Sequence, residues 1–391
     1  MADSRMRNLL HESLLLTQKV GRLPWPWTAL AVVLAVVLLG LATGSTALAF
    51  WLALWALADW FLLASLPRRG LAYGTVQPTH VALLALRWFL AWAAEALLAH
   101  WSEVGLAGKA VAWGLQPLLW GLALYATNIE PFRLGVTEAT LHDGKASPHA
   151  KPLSILQIGD IHVERLGKRE QRLLEIVDRL QPDLILLTGD YLNLSYVGEE
   201  RAVADVRRLL GQLRARYGVY AVRGTPEVDT KPLMPALFAG LGITVLEGER
   251  RDLEIDGHRL RIVGVGCDRD LKGDAAALRA ALAGAPDGYY TILLYHMPDL
   301  MDAATLARVD LYLAGHTHGG QLRLPFVGAL ITGSQFGKLY EMGWHRKGPT
   351  RLYVARGLGL EGMGAPRARF LCPPEVVHIR LEGREDGWTT H

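Results

Sequence analysis

Cysteine is nearly absent from this chain: two residues in 391, Cys267 and Cys372. Two thiols cannot build a disulfide framework, so the fold must rest on packed apolar cores. Net charge is also slight, +3 from 41 basic and 38 acidic side chains, which excludes the electrostatic footprint of a nucleic-acid-binding protein. Low-complexity tracts and internal repeats are missing, and an apolar fraction of 51% excludes a disordered chain. The most informative scarcity is local. Between Leu23 and Thr127 only seven of 105 residues are charged: Asp59, Arg68, Arg69, Arg87, Glu95, Glu103 and Lys109. The other 286 residues carry 72 charges. The charge-poor stretch also holds ten of the 12 tryptophans. The averages hide two compositions, and they divide the chain into domains at 1–127 and 128–391.

The first part has four apolar runs, at residues 27–41, 47–66, 80–99 and 110–126. A helix crosses a bilayer with about 20 apolar residues. The two middle runs meet this length, the first does so with its Pro24–Trp27 lead-in, and the last lies near the lower limit. Tryptophans near the run ends fit an interfacial aromatic belt. Four runs in succession exclude a cleavable signal peptide. The expectation is an all-α region of four transmembrane helices. Arg5, Arg7, Lys19, Arg22, Arg68 and Arg69 fall on one side of these spans and Lys109 alone on the other. The positive-inside rule then places the N-terminus, and the domain after the fourth span, in the cytoplasm of a multi-pass inner-membrane protein. Residues 5–20 read either as an amphipathic interfacial helix or as a polar lead-in. Asp59, Arg87 and Glu95 lie inside runs, where charge is costly. Arg87 and Glu95 share a helical face and read first as an ion pair holding the bundle, second as a lipid head-group or transport site.

After Asn128 strands and amphipathic helices alternate. The patterning predicts strands at 132–141, 153–158, 184–187, 219–222, 291–295 and 311–313, and helices at 168–180, 199–216, 233–241 and 274–282. A hairpin over 251–266 turns at Asp256-Gly257. Residues 321–381 read as glycine-rich strand and loop. Five apolar strands end in turns bearing Asp, His or a small polar residue. In α/β sheets the carboxyl ends of strands are where ligands bind.

Those turns contribute Asp160, His162, Asp190, His296, His316 and His318. Asp-x-His places a carboxylate and an imidazole on one side of a strand end. Gly189-Asp190 offers a carboxylate able to bridge two cations, and Gly315-His316-Thr317-His318 offers two imidazoles on one turn. Mixed His/Asp donors suit Mn, Fe or Zn and not a soft thiolate site.

The ordered set resembles the calcineurin-like metallophosphoesterases, in the membrane-attached bacterial branch carrying Gly315-His316-Thr317-His318-Gly319-Gly320-Gln321. The likeness runs through Arg356-Gly357-Leu358-Gly359, Pro366-Arg367 and Pro374-Glu375, covers about residues 129–381, and leaves the four-run region outside. It implies an α/β fold in four layers, α/β/β/α, with two divalent ions that activate water for in-line attack on phosphorus. Carried over residue by residue, Asp160, His162 and His318 hold the first ion, His296 and His316 the second, and Asp190 bridges. Arg223, Arg356 and Arg367 are candidate phosphate contacts, each equally readable as carboxylate-paired. Glu164 reads either way.

The third motif departs. Where the family has Gly-Asn-His-Asp/Glu, this chain has Gly224-Thr225-Pro226-Glu227. The second ion loses its Asn, and the His that contacts the phosphoryl group or protonates the leaving group is gone. Thr225, Glu227, Asp229 and Asn193 are candidates to approach the weakened second position. General-acid help is worth about 10²–10⁴-fold, most where the leaving group is a strong base. Its loss favours a phosphoanhydride over an alkyl ester. The expectation is a membrane-bound phosphodiesterase or pyrophosphohydrolase acting on a phosphorylated amphiphile, such as a UDP-diacylglucosamine-like lipid presented at the bilayer. The alternative is a catalytically impaired binding or regulatory module.

Overall fold

The computed structural model describes residues 24–43, 46–99, 105–329, 331–362 and 364–383. The possible interfacial helix at 5–20 lies outside them. The chain divides into two compact units, Met1–Ile129 with Glu361–Ala368, and Glu130–Leu360 with Arg369–His391.

The first unit contains α1 (Trp25–Thr43), α2 (Thr46–Ser65), α3 (Val76–Ala99) and α4 (Gly105–Leu124). All four expected runs are therefore helical, but the expectation of four transmembrane spans is not met among the described residues. By length and composition, one described helix, Thr46–Ser65, is long and apolar enough to cross a membrane; Pro26–Ala42 is apolar but shorter. Helices α3 and α4 bury polar residues inside the unit, namely Thr79, His80, Arg87 and Gln116. Large apolar side chains such as Phe50, Phe61, Phe89 and Leu118 point outward. The Arg87 guanidinium donates to both Asp59 oxygens at 2.6 and 2.8 Å and to the Gln116 carbonyl at 2.9 Å, with Trp55 5.7 Å away. Among the described residues the partner of Arg87 is Asp59, 28 positions earlier on a neighbouring helix; the Glu95 side chain, the same-helix candidate, lies outside the described residues. A bidentate pair fully removed from water keeps both charges compensated.

The second unit is built from β1 (Gly135–His142), β2 (Leu153–Ile158), α5 (Lys168–Leu180), β3 (Leu184–Leu187), α6 (Glu200–Leu210), β4 (Val219–Ala221), α7 (Leu233–Phe238), β5 (Ile243–Val245), β6 (Glu249–Ile255), β7 (His258–Gly264), α8 (Leu271–Leu282), β8 (Tyr290–Leu294), α9 (Met301–Leu306), β9 (Leu311–Ala314), β10 (Arg323–Leu324), β11 (Gly328–Ala329), β12 (Gly343–Lys347), β13 (Thr350–Val354) and β14 (Glu375–Glu382). Two six-stranded sheets form, ordered β1-β14-β2-β3-β4-β5 and β12-β13-β9-β8-β7-β6. Between them lies one core, with Ile155, Leu184 and Ile379 from one sheet facing Ile262, Ile292 and Leu313 from the other. Helices α5, α6 and α7 cover the outer face of the first sheet, over Leu156, Ile185 and Leu187. Helices α8 and α9 cover the second, over Val263, Leu293 and Tyr312. The result is the expected four layers.

Most predicted elements stand, with shifted ends. The helix expected over 199–216 stops at Leu210, where Gly211 closes the last turn by donating to the Arg207 carbonyl. The Asp256-Gly257 turn takes positive φ at both residues, 47° and 88°, the conformation a two-residue hairpin requires. Strand β14 is the main surprise. It lies between β1 and β2, parallel to the first and antiparallel to the second. Its alternation sits behind a glycine-rich stretch that conceals it in the sequence.

Candidate metal centre

The six donors reach one place because their strands end side by side. Strands β2, β3, β8 and β9 are all followed by a ligand-bearing turn. Five of the six donors have left-handed backbone: Asp160 (φ 47°), His162 (44°), Asp190 (58°), His316 (70°) and His318 (50°). Non-glycine residues adopt this region at a cost of order 1–3 kcal/mol each, and such strain collects at functional sites. Glycines make room beside it. A Cβ on Gly224 would fall 2.3 Å from Asp190 Oδ1, and one on Gly315 would fall 2.1 Å from Asp160 Oδ2.

Two triads result, Asp160–His162–His318 and Asp190–His296–His316. In each, two imidazole nitrogens face one another: His162 Nε2 and His318 Nε2 at 3.0 Å, His296 Nε2 and His316 Nδ1 at 3.1 Å. Asp190 Oδ2 joins the triads, 3.5 Å from His162 Nε2 and 3.3 Å from His296 Nε2. The outer nitrogens are anchored on carbonyls, His162 Nδ1 on Leu192 (3.2 Å) and His296 Nδ1 on Thr188 (2.8 Å). Such anchors turn the Nε2 lone pairs inward.

Electrostatics fit the same purpose. Burial, countered by His296, pushes the Asp160 carboxyl up to about 6. Burial also opposes ionisation of Asp190, but His296 beside it wins and holds it below the usual carboxylate range. His296 is raised to about 9, Asp190 outweighing burial. Burial and the charge of His296 lower His316 to about 3, and burial with His162 and Arg369 lowers His318. Asp160 Oδ2 is buried with no hydrogen-bond partner. Paired imidazoles at 3 Å and an orphaned carboxylate oxygen are donors arranged for divalent cations, whose charge relieves the desolvation that burial imposes.

The altered third motif has a definite geometry. Thr225 lies inside the site, its Oγ1 3.1 Å from both Asp190 Oδ2 and His296 Nε2. Pro226 is half-buried beside it. Glu227 instead lies at the surface, paired with Arg269 at 3.2 Å. Asn193 is turned to structural work, its Nδ2 donating to the Leu360 carbonyl and its Oδ1 accepting from Ser195 N. The arginines are also committed elsewhere. Arg223 is buried against the Cys267 carbonyl, Asp268 and Glu247. Arg356 pairs with Glu375 at 2.6 Å. Arg367, expected in the phosphoesterase domain, belongs to the first unit, where its side chain occupies the space a Cβ on Gly74 would need. Cys267 is inert, its thiol pushed up to about 12 by burial.

Two residues support the donors from behind: Asp229, a candidate metal ligand in the sequence, binds backbone N–H groups instead, and Arg369 carries no motif that marks it in the sequence. Asp229, fully buried, accepts from the backbone N–H of Asp190 (2.7 Å), Gly224 (2.9 Å) and Tyr191 (3.1 Å), clamping the β3 and β4 turns together. Burial and the neighbouring Asp190 raise its carboxyl to about 7. Arg369, also fully buried, donates to the carbonyls of Arg356, Gly357, Gly359 and Cys372 and lies 3.4 Å from His318 Nδ1. For Asp229→Ala, which leaves three buried N–H groups without acceptors, we expect a stability loss of about 3 kcal/mol or more. Chemical denaturation of the full chain reads this directly, and a loss below about 1 kcal/mol contradicts the clamp.

A family model described as calcineurin-like phosphoesterase matches residues 153–320. YkuE, an uncharacterized metallophosphoesterase of Bacillus subtilis (strain 168), is 31% identical over 265 residues, 66% of this chain and 89% of that protein. The phosphodiesterase YaeI of Escherichia coli (strain K12) is 30% identical over 238 residues, 60% of this chain and 83% of YaeI. A Bos taurus transmembrane protein with metallophosphoesterase domain is 30% identical over 253 residues, 60% of this chain and 54% of that protein.

Proposed function

The chain belongs to the calcineurin-like metallophosphoesterases, hydrolases of phosphoester bonds, and on that premise we propose that it is a membrane-bound phosphodiesterase or pyrophosphohydrolase for a phosphorylated amphiphile. The observation that carries this reading is Asp190 Oδ2 lying between His162 and His296, so that one carboxylate serves both triads. Asp160, His162 and His318 would hold one divalent ion, His296 and His316 a second, with Asp190 shared; Mn, Fe and Zn suit these donors. When bound, the ions supply Lewis-acid activation of a phosphoryl oxygen and of the attacking water.

The chain's own residues do the rest. Asp229 holds the Asp190 and Gly224 turns in register. Thr225 aims a hydroxyl at the second triad where the family has an amide. Pro226 has neither N–H nor imidazole, so position 226 provides no proton for a departing alkoxide, and the Thr225 hydroxyl is already donated to Asp190 Oδ2. The substrate must then release a weak base, as a phosphoanhydride does. A lipid-linked anhydride of the UDP-diacylglucosamine type satisfies that chemistry and the apolar helical unit together. The helix Thr46–Ser65 and the outward apolar residues of α1–α4 support membrane attachment, and the Lys/Arg distribution favours a cytoplasmic catalytic domain. A second reading, an impaired binding or regulatory module, rests on the same Thr225–Pro226 replacement.

Purified full-length protein loaded with Mn²⁺ is expected to hydrolyse bis(p-nitrophenyl) phosphate and a UDP-linked diacyl glycolipid, with both activities lost on EDTA treatment and restored by Mn²⁺. Absence of turnover on both substrates, with fewer than about one metal per chain by elemental analysis, favours the impaired module.

A further inference from the structure

The turn that carries His316 and His318 runs directly into an apolar lip. Among the described residues of the second unit, nine large apolar side chains are exposed, and six of them lie within sixteen positions: Leu324, Phe326, Val327, Ile331, Phe336 and Leu339. Strands β10 and β11 form a small hairpin whose tip residue, Phe326, is fully exposed and held at φ 64°. The segment abuts the metal centre. A Cβ on Gly333 would lie 3.2 Å from His316 Nε2, and one on Gly320 would lie 2.3 Å from the Ala329 Cβ.

The chemistry of the lip selects its occupant. From Leu324 to Leu339 the one charged residue is Lys338, exposed, its Nζ donating to the Val327 carbonyl at 2.7 Å. No carboxylate in the segment would resist entering an anionic, low-dielectric layer. Trp344 and Arg346, both exposed, follow on one face of β12 and add an amphipathic ring and a second cation. Apolar tips with Trp, Lys and Arg at their base are the composition of interfacial membrane anchors. The form is a protruding hairpin rather than a groove, suited to insertion and not to receiving a helix or a peptide. An apolar cluster of this kind on a soluble face marks an interaction site.

We propose that residues 324–329 and 331–339 form a lip that inserts into an anionic bilayer surface and holds the metal centre at the head-group level. This inference rests on the membrane-bound reading above and extends it: the catalytic unit carries its own lipid contact beside His316, independent of the helical unit.

The test uses the full-length chain in phosphatidylethanolamine–phosphatidylglycerol nanodiscs. Phe326→Cys, Leu339→Cys and Glu175→Cys are each labelled with the environment-sensitive fluorophore NBD; Cys267 and Cys372 are buried and stay unlabelled. Glu175 is exposed on α5 and serves as the aqueous reference. The expected result is blue-shifted emission at 326 and 339, quenched severalfold by lipids doxyl-labelled near the head group, with neither effect at 175. Water-like, unquenched emission at 326 and 339 overturns the proposal. So does a blue shift that doxyl lipids leave untouched, since that reports burial against protein, a second copy included. Hydrolysis of the soluble diester by the unlabelled chain reports the phosphoesterase reading separately, so failure of either shows on its own.

Discussion

Asp190→Ala is expected to lower turnover of bis(p-nitrophenyl) phosphate by roughly 10³-fold or more and to reduce bound metal from two ions toward one or none. The size follows from position. Asp190 Oδ2 contacts an imidazole of each triad, so its loss would withdraw a donor from both proposed ion positions at once. Metal-assisted charge stabilisation is worth several kcal/mol, and each 1.36 kcal/mol is about a factor of ten in rate. The backbone argument separates this from simple unfolding. Asp190 N, not its side chain, is the group clamped by Asp229, and that bond survives in the Ala variant. The variant does lose the bond that Asp190 Oδ1 accepts from Thr225 N at 2.6 Å, so some stability is lost, and chemical denaturation of the same sample separates that loss from the fall in metal content. Steady-state kinetics with elemental analysis checks turnover and metal content. Turnover within about tenfold of the parent would remove Asp190 from its shared role.

Thr225→Asn with Pro226→His is expected to raise hydrolysis of a diester with an alkyl leaving group by about 10²–10⁴-fold, the usual range of general-acid catalysis. The p-nitrophenyl diester, whose leaving group needs no proton, should change far less. Pro226 is half-buried, and the turn is closed by Val228 N and Asp229 N on the Thr225 carbonyl, bonds that do not involve position 226. Thr225 Oγ1 already lies 3.1 Å from His296 Nε2, so an Asn amide oxygen there enters the second triad. The ratio of alkyl to aryl rates is the measurement. A ratio that does not rise ends the argument that this chain is specialised for weakly basic leaving groups.

These expectations share a distinction between donors and their supports. All six candidate donors were readable because each sits in a short-range pattern: Asp160-x-His162, Gly189-Asp190, His296 after an apolar strand, His316-x-His318. Two residues are enough to place such a side chain at a strand end. The supports are long-range. Asp229 reaches back across 39 positions to Asp190 N, and Arg369 spans 13 positions to the Arg356 carbonyl and 51 to His318. No spacing rule connects residues whose contact exists only once two turns lie side by side. The same reasoning explains Arg223 and Arg356. A charged residue near a motif is readable, but its partner is not. Here the partners are Asp268 and Glu247 for one and Glu375 for the other. Glu227, next in line after the altered motif, proved to be a surface residue paired with Arg269, whereas Thr225 two positions earlier points into the site.

The charge-poor half divides in the same way. Low charge and ten tryptophans were plain in the composition, and the four runs are helical. Spacing along one helix could not show that Arg87 reaches Asp59 on a neighbouring helix, because that contact exists only once the two helices pack side by side.

By itself, then, the sequence determined the two compositions, the alternation that makes two sheets, and the six candidate donors, since all of these are periodic or local. Only the tertiary structure decided that one carboxylate joins both triads, that Asp229 and Arg369 hold them, and that an apolar lip stands beside His316. Each of those depends on burial and on backbone groups satisfied across distant strands, and a chain acquires such contacts only when it folds.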